Sequence, residues 1–338
     1  MIVLYPPTVN WNLLFQRPNH ILKVIAAQGH TCYFMNHRPF IDGEYHNKDM
    51  EEVEENLFIV PYGKQLRLTP DIIYYSYPLH YDYVKSIKSK YTIFDVIDAP
   101  VDEFEPWKDN WEKCIKDADL VMASAKKLYD DALEYNDNVI HVPNGVDYKH
   151  FQRKRRNPYR KLKVDGFKRK NPVVGFSGAI ATWIDIELLY KSCWEYPDYN
   201  FVILGLEYNL KLSKTPDNLF FLGHKPYEEL SGWINYMDVC TLPFIPHTPV
   251  ADACNPLKFW EYLASGNPVV STALPETNFS SVYWCESRED YIKSIGLAMD
   301  EKKKGNKGKV ERQVLANRHS WINNCKPLLE RLNVWSSQ

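Results

Sequence analysis

A lysine and a glutamate one helical turn apart, Lys258 and Glu261, interrupt an otherwise apolar run between Asn255 and Ser271. Residues at this spacing share a helix face, so both side chains can point at one ligand. The run predicts a short helix. Pro256 suits its first turn, and Leu257, Trp260, Tyr262 and Leu263 cover one side of it. Gly266 ends it, and Pro268 opens the apolar pair Val269-Val270 as a buried strand. A helix start such as Asn255, Pro256 and Leu257 offers free N–H groups and the positive end of a dipole, which suits phosphate. A carboxylate one turn later suits a pair of sugar hydroxyls. Together these describe a site for a nucleoside-diphosphate sugar. The competing interpretations are a salt bridge for Glu261, since a lone buried carboxylate is costly, and a solvated surface position for Lys258.

Other residues could serve the same chemistry. Ser177-Gly178 follow an apolar run at 172–176, where a glycine would let the backbone approach phosphate closely. Trp183 lies just beyond, as a ligand contact or a cap on the core. His247, Thr248, Asp252, Ala253, Cys254 and Asn255 belong to the loop entering the Lys258–Glu261 helix, so some of them should face its ligand. In the first half, Asp98 follows the run 92–96 near a strand's carboxyl end, where open sheets bind ligands. It is a candidate general base, and equally a helix cap or turn residue. Asp95, inside the run, reads as structural. Asp117-Ala118-Asp119 precedes the run 120–123 at the opposite strand end and also reads as structural, and no His/Cys/Asp cluster suggests a metal.

The elements that must position these residues are legible from the pattern. Apolar runs at 2–5, 31–35, 72–77, 92–96, 120–123 and 139–142 alternate with helical stretches such as 18–28, closed by Gly29, and 107–116. The alternation restarts at 172–176 and continues through 201–204, 219–222, 239–242, 268–271 and 282–285. This is the signature of parallel α/β sheets, and 338 residues suit two doubly wound domains. A near-neutral net charge of -2 gives no global bias toward nucleic acid. Seven scattered cysteines without a Cys-x-x-Cys pair argue for a reducing compartment. No apolar run approaches the roughly 20 residues of a membrane span. The expectation is a cytoplasmic protein that can touch a membrane. The contact would run through the basic segment from Lys149 to Lys170, which is either a face drawn to anionic lipid or a solvated linker. Nucleic acid is not an expected partner, since no reading motif is present there.

The 255–271 segment resembles the donor-site helix of glycosyltransferases with the two-domain GT-B fold, of the broad family 4 type. The similarity is greatest to bacterial teichuronic-acid and capsular polysaccharide enzymes. Further pieces agree in order and spacing: Trp11 with Gln16-Arg17-Pro18-Asn19-His20, Pro143-Asn144-Gly145-Val146-Asp147, Phe176 to Ile180 with Trp183 and Asp185, Leu242 to Pro246, and Asn317 to Trp321. The resemblance implies two Rossmann-like domains facing across a cleft: 1–165 for the acceptor, 166–318 for the donor, and 319–338 as a C-terminal helix returning to the first domain. It implies transfer of a sugar from a nucleotide-diphosphate donor, expected as the UDP form, to a hydroxyl of a glycan or lipid-linked acceptor, with no cofactor and no essential metal. Glu261 would hold the ribose, and Lys258 the diphosphate. Ser177, Gly178, Asn255, Pro256, Leu257, Asp252 and Trp183 would line the donor, and Arg17 would bind its phosphate or an acceptor anion. Asp98 and His20 would be catalytic. Many such enzymes carry a pair of glutamates; the second falls on Glu261 and the first on Ala253, which leaves retaining or inverting stereochemistry open. Two alternatives stand beside transfer: a nucleotide-sugar epimerase or hydrolase on the same architecture, and a non-catalytic nucleotide-sugar or partner-binding module.

Overall fold

Short β-branched and aromatic runs pair in register wherever the alternation predicts parallel strands. The computed structural model of the chain describes residues 1–38, 49–153 and 155–338. It divides into two units, Met1–Asn144 with Trp321–Gln338, and Gly145–Ser320.

In the first unit the strands are β1 (Ile2–Tyr5), β2 (Thr31–Met35), β3 (Glu51–Glu54), β4 (Leu57–Val60), β5 (Ile72–Tyr75), β6 (Tyr91–Val96), β7 (Leu120–Ala123) and β8 (Val139–His141). They form one sheet in the order β3-β4-β2-β1-β5-β6-β7-β8. All neighbours are parallel except β3 and β4. The β3–β4 hairpin is absent from the sequence reading. The cause is β3, Glu-Glu-Val-Glu, a charged edge strand without an apolar alternation. The first helix, Arg17–Ala26, starts in a capping box made by Gln16 and Asn19. The tail helices Trp321–Asn324 and Lys326–Ser336 belong to this unit. Trp335 stacks on Tyr91 at 4.1 Å, and Asn324 donates to the carbonyls of Pro143 and Asn144.

A buried polar network sits under the carboxyl ends of these strands. Arg17 grips Asp95 through Nε and Nη2, both at 2.8 Å, and its Nη1 donates to Asn144 at 3.2 Å. Tyr74 donates to the same carboxylate at 2.7 Å. The guanidinium expected to bind donor phosphate or an acceptor anion is turned inward onto a buried countercharge, which argues against that role. Asp95 is structural, as the sequence suggested. Removing one member of such a pair strands the other, at a cost of about 3–5 kcal/mol. Arg17→Ala should therefore shift the urea unfolding midpoint sharply downward; an unchanged midpoint would show the pair to be dispensable.

The second unit holds β9 (Val173–Ser177), β10 (Asn200–Leu204), β11 (Leu219–Phe221), β12 (Val239–Leu242), β13 (Val269–Thr272) and β14 (Tyr283–Cys285). The order is β11-β10-β9-β12-β13-β14, all parallel. Strand order reverses between β9 and β12, which is where a doubly wound sheet opens a crevice for ligands. Residues 145–165, expected in the first domain, fall in this unit. Phe151 and Tyr159 are buried in its core, and the Tyr159 hydroxyl donates to the Trp233 carbonyl.

Candidate functional site

The crevice of the second unit is built by three segments: the turn after β9, the loop after β12, and the helix Leu257–Ser265 that follows it. Pro256 is the residue capping that helix rather than a member of its first turn, and Gly266 closes it in the left-handed conformation at φ 76. Of the first amides of the helix, that of Phe259 donates to the Pro256 carbonyl at 3.0 Å, and those of Leu257 and Lys258 have no carbonyl within the helix to bond. Phe259, Trp260, Tyr262 and Leu263 are buried together with Glu261, and Lys258 of the same helix lies against Phe176, Phe244 and Gly178, beside the ends of β9 and β12.

Glu261 is 5 % exposed. Among the described residues neither it nor Lys258 forms an ion pair or a hydrogen bond. The salt-bridge alternative is thereby set aside. Loss of water pushes the Glu261 carboxyl up to about 7, against the pull of the nearby Lys258 charge. Lys258 is half-buried by area, yet desolvation lowers its pKa, with Cys254 and Glu261 opposing. Its ammonium lies 5.3 Å from the ring centroids of both Phe176 and Phe244. Two aromatic faces hold the cation in place of a counterion. Phe244 lies in the segment 242–246 that the sequence singled out, but its role under Lys258 was not legible.

Ser177 and Gly178 act differently from the expectation. The Ser177 amide donates to the Tyr262 hydroxyl at 2.6 Å and the Gly178 amide to the Leu204 carbonyl at 2.8 Å, so neither is offered to phosphate. Gly178, at φ +150, instead makes room: a Cβ there would lie 2.4 Å from Lys258 Cε and 2.7 Å from its Nζ. Gly205 is tighter still, since its Cβ would meet the Gly178 carbonyl oxygen at 2.0 Å. Backbone cannot yield as a side chain can, so Gly205→Ala should cost about 3 kcal/mol and lower the urea midpoint. An unchanged midpoint would mean the two turns can part freely.

The remaining donor-side candidates divide. The Asn255 side chain accepts from Trp260 Nε1 at 2.9 Å and donates to Glu276 at 3.3 Å, so it braces the helix start. Leu257 is half-buried at the first helical position. Asp252 is exposed at the end of the short helix Pro249–Asp252, which Thr248 caps, while Ala253 is buried. Trp183 packs half-buried against the core with its ring 6.3 Å from Tyr208. Asp185 caps the helix Ile186–Glu195 and pairs with Arg288 at 2.7 Å.

In the first unit, Asp98 follows β6 and is exposed. Its carboxyl is pushed up to about 6, by desolvation first and then by the charges of Glu103 and Asp95. His20 is 4 % exposed, stacked on Trp321 at 4.8 Å and edge-on to Phe15 at 4.8 Å. A ring packed this way is part of the unit's interior, which argues against its expected catalytic role. Asp117 accepts from Tyr81 and pairs with Lys85, and Asp119 accepts from the Thr92 amide and hydroxyl, so both are structural. Among the described residues no group of three or more His, Cys, Asp or Glu is placed to hold a metal ion.

The Glu261 shift has a sign that can be checked. A free glutamate titrates near 4.5, so between that value and about 7 the folded chain keeps a proton that the unfolded chain has released. The group's contribution to stability is therefore lost as pH rises through this window. Glu261→Gln should flatten that slope in thermal unfolding. Because the ionised carboxylate is the better acceptor for ribose hydroxyls, donor affinity should rise from about pH 6 to about pH 8. A slope unaltered by the substitution would place the titration elsewhere.

No family model matches the chain. A stretch of 176 residues is 29% identical to the "Putative teichuronic acid biosynthesis glycosyltransferase TuaH" of Bacillus subtilis, covering 49% of this chain and 43% of that protein. The chain thus spans less than half the length of this curated relative. Among solved structures, sucrose-phosphate synthase from Thermosynechococcus elongatus superimposes with a TM-score of 0.71 at 12% identity, over 100% of this chain and 99% of that one. HepE of Anabaena, in complex with UDP and glucose, gives 0.71 at 12% identity over 98% and 99%. An E. coli trehalose-6-phosphate protein bound with UDP-2-fluoro glucose gives 0.67 at 11% identity over 98% of both chains. Two parallel-sheet units and these likenesses over the whole length establish the fold as that of the GT-B glycosyltransferases.

Proposed function

We propose that the chain is a glycosyltransferase that moves a hexose-like sugar from a nucleotide-diphosphate donor to a hydroxyl of a glycan or lipid-linked acceptor in surface polysaccharide synthesis. The observation that carries this is the buried Glu261 and the half-buried Lys258, neither of them hydrogen-bonded or ion-paired among the described residues, on the helix that follows the strand-order reversal of the second sheet. A carboxylate held without a donor and a cation held without an acceptor are costly unless a ligand supplies both. A ribose diol and a diphosphate would do so. The relative in teichuronic acid biosynthesis and the neighbour that holds UDP and glucose support the same class.

In this reading Glu261 accepts from the ribose hydroxyls. Lys258 and the first amides of its helix neutralise the diphosphate as the bond from the sugar's anomeric carbon to phosphate oxygen breaks. The acceptor oxygen forms the new bond to that carbon, and Asp98 takes its proton. With Ala253 where relatives carry a first glutamate, and with Asp98 raised toward neutrality, we assign an inverting course; Asp252 is the carboxylate left to face the sugar. No cofactor is invoked. Incubation with UDP-, GDP-, ADP- and dTDP-sugars and an acceptor panel, read by mass spectrometry and by NMR of the new linkage, tests this. An inverted glycosidic product supports it. Donor consumption without acceptor would indicate an epimerase or hydrolase, and no consumption a binding module.

A membrane-side location also belongs to this reading. Arg153, Arg155, Arg156, Arg160, Lys161 and Lys163 are exposed within the basic segment 149–170; Lys154 lies outside the described residues. Among the described residues no helix is long and apolar enough to cross a membrane. Contact would then be electrostatic, about 1 kcal/mol per basic residue near an anionic surface. Sedimentation with vesicles containing phosphatidylglycerol, lost at high salt, is the expected result; equal binding to neutral vesicles would contradict it.

A further inference from the structure

The helix Lys309–Arg318 carries a face that its packing leaves bare. Arg312 and Ala316 turn into the second unit, where Arg312 pairs with Glu301 at 2.7 Å and donates to the Gly266 carbonyl at 3.3 Å. Val310 and Val314, one turn apart on the other side, are 69% and 45% exposed. Val310 is the most exposed large apolar side chain among the described residues, so packing of the interior accounts for neither valine.

A second stretch, distant in sequence, borders that face. Gln313 Nε2 donates to Gln152 Oε1 at 3.4 Å, and the two side chains share the Ala264 carbonyl as acceptor, at 3.5 and 2.6 Å. The helix Tyr148–Gln152 thus ends against the middle of Lys309–Arg318. Lys149 lies one turn before Gln152 and Arg153 directly after it, while Lys307 and Lys309 lead into the valines. All four are exposed, and none forms an ion pair among the described residues. Glu311 is the acid of the valine helix, and its carboxylate accepts from Ser280 at 2.8 Å. Bare valines bordered by cations select an occupant. An anionic glycan or a nucleic acid would engage the cations and leave both valines in water. An apolar protein surface would cover the valines and strip water from the cations without pairing them. The surface of an anionic bilayer supplies both halves, with headgroup phosphates for the basic side chains and the acyl boundary for the valines.

We infer that Val310 and Val314, bordered by Lys149, Arg153, Lys307 and Lys309, are a shallow anchor that inserts into the surface of an anionic bilayer. This deepens the membrane-side reading of the basic segment 149–170 and rests on it. It adds an apolar contact and a second basic stretch, and it makes the second unit, which holds Lys258 and Glu261, the one that touches the membrane.

The test is sedimentation of the full chain with vesicles of phosphatidylglycerol and phosphatidylcholine at fixed low salt, beside retention on heparin, a polyanion without acyl chains. Val310→Ser with Val314→Ser keeps every charge. It should weaken vesicle binding about tenfold and leave heparin retention unchanged. Lys307→Gln with Lys309→Gln should weaken vesicle binding about thirtyfold and lower heparin retention as well. Should the serines shift the unfolding midpoint, Val310→Leu with Val314→Leu, which favours the helix, carries the comparison and should bind vesicles more tightly. Vesicle binding unaltered by either valine pair, or heparin retention falling in step with it, would overturn the inference and leave an electrostatic contact through 149–170 standing. A wild type that binds no vesicles would overturn both.

Discussion

Replacing Asp98 with asparagine should lower kcat by about a thousandfold and leave donor affinity unchanged. The amide has the shape of the carboxylate but cannot take a proton from the acceptor hydroxyl. Loss of water first, and then the charges of Glu103 and Asp95, push the Asp98 carboxyl up to about 6, close to the range where a base is both ionised and strong enough to act. The wild-type rate should accordingly fall as pH drops through about 6, since protonation removes the base, and the asparagine variant should show no such limb. Donor binding serves as the internal control, because Asp98 belongs to the first unit and the donor residues to the second. A variant that keeps most of its kcat would assign the base elsewhere and return Asp98 to the turn role that its position also allows.

Lys258→Met should have the second large effect, with an unusual signature. Loss of the cation removes neutralisation of the leaving diphosphate, for which single-donor deletions cost about 10²–10³ in kcat. The same change should not destabilise the protein. Lys258 has no hydrogen-bonding or ion-pair partner among the described residues, and desolvation lowers its pKa, so its ammonium is a liability to the ligand-free fold. A methionine of similar length fits between Phe176, Phe244 and Gly178 without that cost. Unchanged or raised thermal stability together with lost transfer identifies a binding residue, since sites often trade stability for function. A destabilised variant with normal kcat would mean that Lys258 is structural.

Much of this was legible in the sequence, and the reasons differ by element. The parallel strands were readable because each is a short apolar run between turn residues, and Gly266 because a left-handed cap after an apolar helix favours glycine. The Lys258–Glu261 spacing placed both residues on one helix, the one proposed to bind the donor. Of the β3–β4 hairpin, β3 escaped because it is charged at most positions, while β4, the apolar run Leu57–Val60, was readable and passed over. Arg17 escaped for another reason: its partner Asp95 is distant in sequence, and nothing local reports that pairing. The purpose of Gly178 was likewise hidden. A glycine after a strand suggests phosphate, yet here its bare Cα accommodates the Lys258 side chain while its amide bonds Leu204. The unit boundary was expected after residue 165, whereas Phe151 and Tyr159 anchor the stretch before it in the second core.

The central claim is that Glu261 and Lys258 form a nucleotide-sugar site. Calorimetric titration of UDP-, GDP-, ADP- and dTDP-sugars into the wild type and Glu261→Ala tests it most directly. The account predicts selective binding of one nucleotide, with UDP the expected base, weakened about a hundredfold in the variant through loss of both ribose hydrogen bonds. Binding unaltered by Glu261→Ala, or no binding across the panel, would contradict it.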